Sequence, residues 1–142
     1  MNLGEKGERI ARMSDHGWLR FLRFWFPVIL YSGMIYWVSD LPSLAPPLKW
    51  KYADKLFHIL EYIPFGLLLT RAMNYTHQGL SPGKVLWLVL LGSLLYGISD
   101  EFHQSFVEGR SSGMDDVVAD TTGSVIGCLS FLFLRHRLRK KV

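Results

Sequence analysis

Apolar residues fall into four runs, at about 21–38, 56–73, 85–102 and 117–134, separated by short polar or proline-containing connections. Each run is close to the ~20 residues a helix needs to cross the hydrocarbon of a bilayer. None shows the strict alternation of a β-strand, which argues against a transmembrane barrel. The pattern predicts an all-α, polytopic membrane protein, a compact bundle of four transmembrane helices. A basic segment (1–20) precedes the membrane domain (21–134), and a basic tail (135–142) follows it.

Local signals sharpen the ends of these helices. Asp40-Leu41-Pro42 through Pro46-Pro47 ends the first and predicts an extended connection, since proline cannot continue a helix. Asp54 is a candidate N-cap for the second helix, and Ser81 followed by Pro82 predicts a cap with proline at the first helical position of the third. Gly109–Gly113 reads as a flexible turn before the fourth. The first run follows a long basic preamble and is rich in aromatics, so an uncleaved anchor is expected rather than a signal peptide.

Bulk composition adds little, because 49% hydrophobic residues is close to the soluble average. The five Trp, six Tyr and nine Phe gather in and beside the apolar runs, as in interfacial aromatic belts. The net charge of +4 arises mostly at the two ends. With four spans, Lys6, Arg9, Arg12, Arg20, Arg23, Arg71, Lys84, Arg135, Arg137, Arg139, Lys140 and Lys141 share one side of the membrane. Lys49, Lys51, Lys55 and Arg110 lie on the other. The richer side is expected to be cytoplasmic, which places both termini there. Basic ends that flank spans are topology determinants, so no nucleic-acid partner is expected. Cys128 is the only cysteine, which excludes an intrachain disulfide and reads as a packing residue.

Between the third and fourth runs, Asp100, Glu101, His103, Gln104, Glu108, Arg110, Asp115, Asp116 and Asp120 crowd together. An ionisable group inside a span costs about 2.5–3.5 kcal/mol on insertion scales, so such groups are read as functional by default. Residues three or four apart share a helix face. Asp54, His58 and Glu61 therefore form one stripe, with Pro64 predicting a kink or an exposed carbonyl beside Glu61. Ser93, Gly97, Asp100 and Gln104 form a second, and at most one of Asp100 and Glu101 is expected to point fully inward. Asp116 and Asp120 continue into Gly123 and Gly127, a small-xxx-small step for close helix packing. The stripes predict one shared polar pocket at the outer membrane face. The competing expectation is a purely structural ion-pair network, since buried pairs do not by themselves show a function.

Asp54-Lys55-x-x-His58-x-x-x-Tyr62, Asp100-Glu101-x-x-Gln104-x-Phe106-x-x-x-Arg110 and Asp116-x-x-x-Asp120-x-x-Gly123-x-x-x-Gly127 together resemble the VanZ-like family of small bacterial membrane proteins. The resemblance covers about Asp54 to Gly127, and one departure from it is Asp120, where asparagine is expected more often in the family. It implies a multi-pass protein of the bacterial cytoplasmic membrane, within the cell envelope. The name-giving member is associated with lowered susceptibility to the glycopeptide teicoplanin.

Three functions fit these residues. In the first, the outer face binds or modifies a lipid-linked cell-wall precursor: Arg110, Lys55 and His58 engage an anionic headgroup, and Asp54, Tyr62, Asp100, Glu101, Gln104, Asp116 and Asp120 complete the site. In the second, the site is a hydrolase or transferase with His58, Glu61, Asp100, Glu101 and Asp120 as acid–base candidates. A metal-assisted form would use His58 with Asp54, Glu61 or Asp120, which suits zinc or manganese. Neither HExxH nor a paired-histidine spacing occurs, so the sequence assigns no metal and no other cofactor. The third is a small transporter, which with four spans would need to oligomerise. The sequence leaves the oligomeric state open.

Overall fold

Four helices form in chain order in the computed structural model: α1 (Leu3–Ser39), α2 (Ala53–Thr76), α3 (Pro82–Gln104) and α4 (Met114–Arg139). The structure describes residues 3–41, 52–77 and 79–140, with the backbone alone for 3–16. The proline-rich connection at 42–47, Lys49 and Lys51 lie outside the described residues. The segments Gly17–Ser39, Ala53–Thr76, Pro82–Gln104 and Met114–Arg139 are each long and apolar enough to cross a membrane. The described residues contain no strand. The chain is an all-helical, multi-pass membrane protein.

The exposed surface agrees with that setting. Trp87 (71% exposed), Phe102, Leu95, Ile29 and Leu129 project from the bundle, each with half or more of its surface uncovered. In water such a coat would be an aggregation liability, whereas in a bilayer these side chains meet acyl chains. The interior is small and well filled. Ile35, Tyr62, Val85, Val89 and Cys128 are fully buried at its centre, beside Phe65, Leu69 and Ala72. Tyr62, Phe65 and Tyr96 pack ring against ring within it.

The closest helix pair is α2 with α4, and its intimacy has a simple steric cause. Gly123 and Gly127 of α4 lie directly on the α2 backbone, where a Cβ would overlap the carbonyl oxygens of Ile59 and Ile63. Gly66 of α2 returns the contact against the backbone of Ser124. With little hydrophobic drive between helices in lipid, backbone-close packing of this kind is what holds them together.

The termini alternate, so each end of the bundle has its own character. At one end the last turn of α1, the start of α2, the end of α3 and the start of α4 meet. Gln104 bonds Ser39, Lys55 bonds Asp116, and Glu101 bonds Gly113 there. At the opposite end Arg20 donates to the Tyr75 carbonyl (2.6 Å), Trp25 to Thr76 (2.9 Å) and Arg135 to Asn74. The guanidinium of Arg71 sits over the Phe24 ring. One end is therefore basic and the other gathers the carboxylates.

Helix starts differ in how they are capped. Ser81 accepts from the Lys84 amide (3.4 Å), and Pro82 opens α3 as expected. The cap position of α2 is Tyr52 instead, and Asp54 lies inside the first turn. The Asp54 carboxylate lies 3.2 Å from the Lys55 ammonium. Helix α2 runs on through Pro64, and the Tyr31 hydroxyl donates to the Glu61 carbonyl at 2.8 Å. A partner from α1 thus takes up a carbonyl beside the proline.

Candidate functional site

The acidic end of the bundle is built from three helices that present their polar stripes to one another. From α2 come Asp54, Lys55, His58, Glu61 and Tyr62, from α3 come Asp100, Glu101 and Gln104, and from α4 come Asp115, Asp116 and Asp120. Close packing of α2 on α4 brings the first and last sets together.

At the rim, the Lys55 ammonium is surrounded by carboxylates. Asp115 lies at 2.8 Å, Asp54 at 3.2 Å, and Asp116 is in direct hydrogen-bond contact. One turn deeper, His58 is held between two acids of α4. Its Nδ1 lies 2.9 Å from Oδ1 of Asp120, and its Nε2 lies 3.5 Å from Oδ1 of Asp116. The ring is thereby fixed in orientation, and Lys55 fixes Asp116 in turn. Glu101 approaches from α3, bringing ligand-capable atoms of His58, Glu101 and Asp120 within 4.8 Å of one another. Gly97 of α3 makes this convergence possible, because a Cβ there would lie 3.2 Å from Oδ2 of Asp120.

Beside this centre sits a second polar group. Oδ2 of Asp100 accepts from Gln104 (3.0 Å) and from the Tyr62 hydroxyl at the long distance of 3.5 Å. Gln104 also donates to Ser39 of α1 (3.3 Å). Glu61, half-buried on α2, is near enough to His58, Asp100 and Asp120 for their charges to act on it.

Burial is what distinguishes the site from a surface ion-pair network. Asp120 is fully buried, and Asp100, Glu101, Gln104 and Asp116 are each at most 6% exposed. Three carboxylate oxygens, Oδ1 of Asp100, Oε1 of Glu101 and Oδ2 of Asp120, have no hydrogen-bond partner among the described residues. An unsatisfied buried polar group costs about 1–3 kcal/mol, and more when charged.

Two sequence expectations look different in three dimensions. Asp100 and Glu101 are both buried, although consecutive helical positions point about 100° apart. Asp100 turns toward Tyr62 and Gln104, while Oε2 of Glu101 accepts from the Gly113 amide at 2.8 Å. The connection after α3 folds back and covers a side chain that helical phasing alone would leave outside. Arg110 is the other case. Its Nε donates to the Leu41 carbonyl (3.1 Å) and its Nη2 to the Val38 carbonyl (2.7 Å). It caps the C-terminal end of α1. Glu108 and Asp115 are exposed, whereas Cys128 is buried in the apolar interior away from this chemistry.

Sequence reasoning missed the share of α1. Ser39 and the carbonyls of Val38 and Leu41 close the site from a helix that carries no Asp, Glu, Lys, Arg or His between Arg23 and Asp40. The available signal was Ser39-Asp40 at the end of the first run, a polar pair at the same end of the bundle as the other stripes.

A protein-family model described as VanZ/LLP1 matches residues 11–135. No curated protein and no solved structure matches the chain.

Proposed function

The chain belongs to the VanZ/LLP1 family, and from the geometry of its acidic end we propose that it acts on the polar head of a lipid-linked cell-envelope precursor. The His58 centre carries the reaction, at the outer face of the cytoplasmic membrane. Lowered susceptibility to glycopeptides such as teicoplanin is the cellular consequence this reading assigns, following the family resemblance.

The observation that carries the proposal is the placement of His58 of α2 between Asp116 and Asp120 of α4, with Glu101 of α3 beside them. An imidazole oriented by carboxylates is the usual equipment for acid–base or metal-assisted chemistry. A substrate anchored in lipid reaches such a site by lateral diffusion, with its head at the depth of the helix ends.

Recognition of an anion by Lys55 and Arg110 alone receives less support. Three carboxylates already surround Lys55, and Arg110 is bonded to two α1 carbonyls. Hydrolysis or transfer at His58 is therefore favoured over simple headgroup capture.

The test uses purified protein in nanodiscs containing a polyprenyl diphosphate, with bound lipid read by native mass spectrometry. Saturable binding that falls at least about tenfold in His58→Ala and Asp120→Asn is expected, since both remove groups that would face the head. Equal retention by wild type and both variants would remove the headgroup reading.

A further inference from the structure

Three buried groups at the centre of the site, one from each of three helices, form a set that hydrogen bonding alone does not complete. His58 supplies a ring nitrogen, and Glu101 and Asp120 supply carboxylate oxygens, all within 4.8 Å of one another. Oε1 of Glu101 and Oδ2 of Asp120 have no hydrogen-bond partner among the described residues, on side chains 6% and 0% exposed. The surrounding charge is strongly acidic, with Asp116, Asp100 and Glu61 nearby. Lys55 is already enclosed by Asp54, Asp115 and Asp116, and Arg110 of the same end is bonded to two α1 carbonyls. Glu101 and Asp120 are buried beside them, and neither forms an ion pair with a lysine or an arginine among the described residues.

We propose that His58, Glu101 and Asp120 bind a divalent first-row cation, zinc or manganese, with Asp116 as the partner that orients the imidazole. This deepens the functional reading above by giving its centre a cofactor, and it rests on that reading only for the substrate.

Four features support the assignment. The spacing is right: ligand bonds of about 2.0–2.2 Å allow atoms on opposite sides of one ion to stand up to about 4.4 Å apart. The present limit of 4.8 Å needs only a few tenths of an ångström of side-chain adjustment. The charge is right, because two carboxylates and a neutral imidazole neutralise a 2+ ion. The donor set is right, because one nitrogen with several oxygens suits zinc or manganese, whereas calcium and magnesium prefer oxygen alone.

The surroundings of the ring match as well. Nδ1 faces Asp120 while Nε2 faces Asp116 on the other side. A metal-bound histidine characteristically directs its second nitrogen to a carboxylate, which fixes its tautomer and raises its basicity. Lys55 anchors that carboxylate, so the support continues one residue further out. Glu101 is itself positioned by the Gly113 amide through Oε2, which leaves Oε1 for the ion. A cation here would also make an acidic pocket receptive to a phosphate oxygen, which Lys55 and Arg110 do not.

The test is metal analysis of the full chain, purified in detergent through a histidine-free tag, stripped with chelator and titrated with zinc and with manganese. About one ion per chain is expected for one of the two metals. Affinity should fall about 10- to 100-fold or more in His58→Ala, Glu101→Gln and Asp120→Asn, and about tenfold in Asp116→Asn, as for an outer partner. Glu108→Gln, on the exposed connection, should bind as the wild type does. X-ray absorption of the loaded wild type should show a nitrogen and oxygen shell containing one imidazole. Fewer than about 0.1 ions per chain overturns the proposal, whichever variants fold. So does a first shell without imidazole, or unchanged affinity in both Glu101→Gln and Asp120→Asn. An ion bound without any lipid headgroup binding keeps the metal site and removes the substrate reading. Headgroup binding by a chain that takes up no ion does the reverse.

Discussion

Nδ1 of His58 on α2 lies 2.9 Å from Oδ1 of Asp120 on α4, and the carboxylate it meets is fully buried. The contact joins residues 62 positions apart, and it depends on the glycine step that seats α4 on α2. Removing Asp120 leaves Nδ1 of His58 without this acceptor, and removing His58 leaves the buried Asp120 carboxylate without its partner. Asp120→Ala is expected to lower the thermal stability of detergent-purified protein by about 1–3 kcal/mol, the cost of a stranded polar group. Asp120→Asn should lose less, since an amide oxygen still reaches the ring. Equal melting temperatures for all three proteins would show that the pair is not formed.

Gly97 and Gly92, both on α3, provide a matched comparison. A Cβ at position 97 would press on Oδ2 and Cβ of Asp120, at 3.2 and 3.4 Å, whereas at 92 it would meet only the tip of Leu69 at 3.4 Å. Each alanine gains up to ~1 kcal/mol of helix propensity. Gly92→Ala should thus be neutral or stabilising. Gly97→Ala should displace Asp120 and reduce metal affinity about tenfold, by analogy with loss of a supporting residue. Ion titration of the two variants separates them, and equal affinities would contradict the placement of Asp120.

Helix packing leads to a harsher expectation at Gly127. Its Cβ would overlap the Ile63 carbonyl of α2, and backbone cannot yield as a side-chain tip can. Gly127→Val should cost on the order of 3 kcal/mol, the upper range for overpacking, and should deplete folded protein in membranes. Quantified membrane abundance and melting temperature are the readouts.

Arg110 distinguishes a structural cation from a ligand-binding one. Because two of its five donors hold the carbonyls of Val38 and Leu41, Arg110→Ala should destabilise the protein by about 1.5–3 kcal/mol, the range for a charged hydrogen bond. Protease sensitivity near Asp40 should rise as the end of α1 loosens. Ion affinity should change little. A variant with wild-type stability and lost headgroup binding would restore Arg110 to recognition.

The distribution of Lys and Arg predicts that the acidic end faces outward, and impermeant maleimide labelling of intact cells tests it. In a Cys128→Ala background, Ser112→Cys should label from outside, and His77→Cys only after permeabilisation. The reverse pattern would place the site in the cytoplasm.

The four spans were legible because a helix that crosses a bilayer needs about 20 apolar residues, and little else in a chain produces runs of that length. The stripes on α2 and α4 were legible for a related reason: helical phase is fixed, so Asp54, His58 and Glu61 had to share a face, as did Asp116 and Asp120. What phase could not give was the path of connecting backbone. The segment between α3 and α4 brings the Gly113 amide to Glu101, and this buries a side chain on the flank of its helix. The metal set imagined from sequence paired His58 with Asp54, Glu61 or Asp120, on α2 and α4. The third group that stands with His58 and Asp120 in space is Glu101, contributed by the helix whose phase concealed it. Arg110 illustrates the same limit, since nothing in a single run reveals that a distant helix end needs its carbonyls capped.

The central claim is that the stripes of α2, α3 and α4 make one functional centre around His58. Its most direct measurement is complementation of a deletion strain by wild type and by His58→Ala at matched membrane abundance, read as the inhibitory concentration of teicoplanin. The account predicts that the wild type raises that concentration and that His58→Ala behaves like the empty vector. A His58→Ala chain that protects as fully as the wild type would contradict it.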